Sequence, residues 1–135
     1  MAERKKVEAR WSRIELVLKN TSVAEKGNVA CIDSTDGSCV PSAASATLTP
    51  IGYFEESFTG DGTRKIKIKL FSDILVNFLP NASSGTAVAA ADMLKSCYLN
   101  ADSSVTTTTT GRSVAGKVWG VVTGNGAGVW VQMAT

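Results

Sequence analysis

Lys65, Ile66, Lys67, Ile68, Lys69 and Leu70 alternate polar and apolar without a break. Side chains that change face at every residue are those of a strand, so a half-buried β-strand is predicted here. The "GDGT" before it is rich in turn formers, and "IGYFEESF" precedes that, so the whole stretch reads as a hairpin. Burial argues its register. A two-residue turn at Asp61 and Gly62 would put Phe54 and Phe58 on the lysine face. A loop with an odd number of residues shifts the pairing by one. Both aromatics then lie beside Ile66, Ile68 and Leu70, and Glu55 shares a face with Lys67 and Lys69. Burying several apolar side chains at about 1.5–3 kcal/mol each outweighs the preference for a two-residue turn. A three- or five-residue loop is therefore predicted.

The same test finds strands elsewhere. "VACID" is a short strand followed by the turn signal "STDGS". "SVAGKVWGVVTG" and "GVWVQM" are strands flanking "GNGAG", and in the second of them Val129, Val131 and Met133 alternate with Trp130 and Gln132. "VPSAASATLTP", broken by Pro41 and Pro50, reads as a loop, and "SSVTTTTTG" as an extended stretch or a loop. Helix propensity is high only over residues 87–95, with Ser84 or Thr86 to cap it. Residues 1–18 satisfy both periods: Val7, Trp11, Ile14 and Leu18 fall at helical spacing, whereas Ile14, Leu16 and Leu18 alternate. The reading adopted is a basic arm leading into a strand at residues 13–19. The expected fold is mainly β, a small single-domain β-barrel or sandwich with one short helix and an N-terminal arm. Residues 1–20 form the arm and its entry to the first strand, and residues 21–135 the compact domain.

Composition narrows the function more than the fold. A chain of 135 residues, 44% hydrophobic and 19% charged, suits one globular domain. It has no apolar run of the roughly 18 residues that a spanning helix needs. No signal-like hydrophobic segment follows "MAERKK", so a cytoplasmic site of synthesis and folding is expected. A net charge of +2 is too small to argue for nucleic acid, but its distribution is uneven. Arg4, Lys5, Lys6, Arg10 and Arg13 crowd the first thirteen residues against Glu3 and Glu8. With Trp11 as an apolar anchor, these residues are the candidate partner-binding segment. The row Lys65, Lys67 and Lys69 reads as a solvated face protecting an edge strand. Trp119 and Trp130 read as core, with an aromatic sugar-binding platform as the alternative.

Catalytic chemistry is sparse. The chain has no histidine, which excludes Ser-His-Asp and Cys-His mechanisms. Cys31, Cys39 and Cys97 match no zinc spacing and read as small buried thiols; a two-residue turn at Asp36 and Gly37 would pair Cys39 with Ser34, not Cys31. Neither "GDGTRK" nor "GNGAG" opens a helix after a strand, so neither cradles a phosphate. Glu55 and Glu56, placed on a strand, point to opposite faces. Asp33, Asp36, Asp61 and Asp102 sit in turn contexts where they cap the backbone, and "DSTDG" falls short of a calcium loop. No catalysis, cofactor or metal is expected.

The order of these segments resembles a known family. "TSVAEKGNVACIDSTDGSCVPS", "PIGYFEESFTGDGTRKIKIKL", "AAADMLKSCYLNADSSVTTTT" and "RSVAGKVWGVVTGNGAGVWVQM" follow one another as do similar segments in the head-decoration, or capsid-cement, proteins of tailed bacteriophages. The resemblance covers roughly residues 21–135 and leaves residues 1–20 outside it. It implies a structural virion protein on the outside of an expanded shell, a homotrimer at three-fold positions. Its partner would be the major capsid protein, without direct nucleic-acid or membrane contact. The alternatives are a tail or other virion β protein and a carbohydrate- or surface-binding module.

Overall fold

The structure is a computed structural model and describes residues 13–71, 76–83, 86–101 and 103–133. Among the described residues twelve strands follow in order: β1 Arg13–Val17, β2 Val23–Ala24, β3 Val29–Asp33, β4 Ser38–Pro41, β5 Leu48–Phe54, β6 Phe58–Thr59, β7 Lys65–Leu70, β8 Asn77–Leu79, β9 Ser96–Leu99, β10 Val105–Thr106, β11 Val114–Val122 and β12 Gly128–Met133. They make a mainly β domain of two five-stranded sheets, ordered β1-β7-β5-β3-β4 and β10-β9-β11-β12-β8, with a separate ribbon of β2 and β6.

The alternating lysine strand organises the first sheet. On one face Ile68 lies between Ile14 and Phe54, and Ile66 opposite Leu16; on the other, Lys67 faces Glu15, and Lys69 lies between Arg13 and Tyr53. The predicted register therefore holds, but the predicted short loop does not. Residues 55–64 separate β5 from β7, because β6 turns aside to pair with β2. Phe58 leaves the hairpin to pack into the core, with the Arg64 guanidinium 3.8 Å above its ring. Asp61 Oδ1 holds the turn by accepting the Thr63 and Arg64 N–H groups at 2.8 and 2.7 Å. Gly60 is needed there: a Cβ would fall 2.2 Å from the Lys19 carbonyl oxygen.

Over β3 and β5 both faces of the first sheet are apolar, and each has its own cover. One face, with Val29, Cys31 and Leu48, packs against Leu79, Cys97, Leu99, Ala115, Val118, Val129 and Val131 of the second sheet. The other gathers Ala30, Cys39, Phe54, Ile66 and Ile68 around Leu18, Ala24 and Phe58. That second cluster is enclosed because the sheet curls until its outer strands touch. Leu18 bridges Cys39 in parallel, and Lys19 N–H donates to the Cys39 carbonyl at 3.0 Å. β1 and β4 pair nowhere else, so the sheet is not a closed barrel. The molecule is a sandwich with one curled sheet.

Three expectations need correction. The helix over residues 87–95 is a single 3-10 turn at Ala90–Asp92. Propensity loses to side-chain and tertiary bonds: Asn81 takes both backbone groups of Val88 (2.8 and 2.9 Å), and Leu94, at φ +66, donates its N–H to Val118 on β11. The proline-rich stretch is not all loop, since β4 runs through Pro41 and β5 holds Pro50 inside an interior strand. Pro50 is tolerated because it sits at a register shift opposite Ala30 and Cys31. Finally, the loop between β3 and β4 is residues 34–37, which sets Cys39 opposite Ile32. Cys31 and Cys39 thus belong to the two different cores, and all three cysteines are free and buried. The sheet already begins at β1, within the segment assigned to the arm and its entry strand.

Candidate functional site

Of the predicted partner-binding residues, Arg4, Lys5, Lys6, Arg10 and Trp11 lie outside the described residues, and Arg13 is described. It opens β1, is 62% exposed, and donates from Nε to both Glu55 carboxylate oxygens at 2.9 and 2.8 Å. Around it the outer surface of the curled sheet forms an open groove of about 1320 Å³, with Lys26, Lys65, Lys67, Lys69, Glu15 and Glu56 among its walls. β7 is not an edge strand, so its lysines do not protect an edge; β1 takes that position. Arg13 and Lys69 lie directly opposite each other, an unfavourable like-charge pair that Glu55 offsets. Among the described residues, Lys26, Lys65, Lys67 and Lys69 make no ion pair. Glu55 and Glu56 do not point to opposite faces. β5 ends at Phe54, and beyond it both glutamates line this groove, Glu56 accepting the Lys67 N–H at 3.1 Å.

The second sheet presents a different surface. Trp119 and Trp130 are not core residues: they are 50% and 41% exposed, and Phe78 is 39% exposed beside them. The alternation of β12 puts Val129, Val131 and Met133 inward and Trp130 outward. On β11 a bulge inserts Trp119 between Val118, which faces Val131, and Gly120, which faces Trp130. Trp119 Nε1–H donates to Gln132 Oε1 at 3.0 Å, which ties its indole to the outer face. Phe78 pairs with Trp130 across β8 and β12, ring centroids 4.8 Å apart. The row Phe78, Trp130, Trp119 runs over Gly128 and Gly120; a Cβ on Gly128 would meet the Phe78 ring at 2.4 Å. The sequence signal for this row was the alternation of Trp130 with valines, and the bulge had none.

The turn aspartates and the cysteines serve the structure. Asp36 is held down to about 2 by hydrogen bonds from the Ser38 hydroxyl and N–H and from Lys19. Asp33 is lowered by Thr35 N–H and the Thr35 and Thr47 hydroxyls, and Asp61 by the Arg64 and Thr63 N–H groups. These three aspartates cap turns as expected; Asp102 lies outside the described residues. Burial pushes the thiols of Cys31 and Cys97 up to about 12 and that of Cys39 to about 11, which removes the thiolate needed for reactivity. Among the described residues no cluster of acidic or sulfur ligands is arranged to hold a metal ion, and no helix is long and apolar enough to cross a membrane. Comparison with family models, with curated proteins and with solved structures yields no match to this chain.

Proposed function

We propose that this chain is a head-decoration protein of a tailed bacteriophage, binding the outside of an expanded capsid as a trimer at three-fold positions and stabilising the shell. The major capsid protein is its partner, and the work is done by contact, without catalysis. The order of sequence segments suggests the class. The observation that carries the reading is the outer surface of the curled sheet, where Arg13 and Lys69 stand opposite each other and the neighbouring lysines make no ion pair among the described residues. The Arg13–Lys69 juxtaposition is unfavourable within the fold, and a partner surface bearing carboxylates relieves it. In the chain, β1 is directly preceded by the basic residues Arg4, Lys5, Lys6 and Arg10. Many copies around a symmetric shell turn modest contacts into firm attachment.

Co-sedimentation with undecorated shells tests this. Saturable binding to expanded shells, absent from unexpanded precursors and weakened by added salt or by Lys67→Glu with Lys69→Glu, is the expected result. Failure to bind either shell overturns it.

A further inference from the structure

The aromatic row on the second sheet is not part of that surface, which lies on the first sheet. Three rings on one outer sheet face, each between about two-fifths and half exposed, are a large apolar surface to leave in water. The row is also rigid. Trp119 is fixed by its bond to Gln132, and Trp130 is held by Phe78 on the neighbouring strand. At its end Ser96, Val114, Gly116, Lys117, Gln132 and Met133 line a shallow depression of about 340 Å³.

Hydrogen-bond accounting in this depression gives the ligand's sign. Gln132 Oε1 accepts from Trp119, and the Gln132 amide N–H groups have no partner among the described residues. Lys117, directly opposite Gln132, makes no ion pair or hydrogen bond among the described residues. The hydroxyl of Ser96, opposite Lys117 on β9, can serve as donor or acceptor. No carboxylate is among the lining residues. The depression thus offers donors and a positive charge beside flat aromatic faces. A neutral sugar leaves the Lys117 ammonium without a counter-charge. A pyranose bearing a carboxylate is complementary: its C–H face stacks on an indole, and its carboxylate accepts from Lys117 and Gln132.

We propose that Trp119, Trp130, Lys117 and Gln132 form a binding site for acidic, uronate-type saccharides. The inference stands on this face alone and does not depend on shell binding. The test is calorimetric and fluorescence titration of the full chain with oligogalacturonate, with a neutral malto-oligosaccharide as control. Saturable binding of the uronate is expected, weakened about tenfold by Lys117→Gln, a position whose lysine side chain makes no bond among the described residues. Trp130→Ala, shown folded by its melting curve, should weaken binding by a similar factor. The proposal fails if the uronate does not bind, if the neutral sugar binds as tightly, or if Lys117→Gln changes nothing. It fails too if light scattering shows that Trp130→Ala breaks up an oligomer, since a second copy then covers the row.

Discussion

Ile68 and Lys67 are neighbours in the chain and occupy different media. Ile68 is fully buried between Ile14 and Phe54, whereas Lys67 stands on the outer face opposite Glu15. Ile68→Lys should therefore abolish the cooperative melt or cause aggregation, because it buries a charge with no partner. Lys67→Ala should change stability by less than about 1 kcal/mol in urea titration. If the first variant melts like the parent, the register of β7 is wrong. The turn aspartates make a second residue-level prediction. Their carboxyls ionise more readily in the fold than in the unfolded chain, so the stability they contribute is present above 3.8, the ordinary value, and is lost as pH falls toward 2. Urea midpoints should fall over that window; flat midpoints would mean that the Asp33, Asp36 and Asp61 bonds do not persist in solution. At this scale the chain was readable wherever one face was apolar, as at Ile66 and Ile68. It misled at Trp119 and Trp130, where size suggested core but the register of β12 turned the ring outward.

Strands and hairpin pairings could be found from pattern, but pairings between strands distant in the chain could not. The parity of the β5–β7 pairing followed from placing Phe54 beside Ile68. The departure of β6 to β2 did not, because it depends on Phe58 and Ala24 meeting in a core that no local pattern describes. The 87–95 segment failed as a helix for the same kind of reason: Asn81 and Val118, distant in the chain, take its backbone groups. The curl of the first sheet gives this scale its own prediction. β1 covers Ile66 and Ile68, and Leu18, directly after it, is the point where the sheet meets β4. Removing residues 1–18 should eliminate cooperative unfolding, whereas removing residues 1–12 should leave it intact, as followed by circular dichroism on heating. Loss of cooperativity in the shorter deletion would contradict a domain whose sheet begins at Arg13.

The whole molecule presents two unlike surfaces on its two sheets, one cationic around Arg13 and Lys69 and one aromatic around Trp130. A composition of 44% hydrophobic residues and a net charge of +2 gave no hint of this separation, because averages over the chain hide which sheet carries which side chain. The decoration reading assigns the cationic surface to the shell, so deletion of residues 1–12 should weaken shell binding without unfolding the domain. The most direct measurement is cryo-electron microscopy of expanded, undecorated shells incubated with the purified protein. Added trimeric density is expected on the exterior at three-fold positions, with the β1–β7 face toward the shell. A shell without added density, or density confined to a vertex or tail, would contradict it.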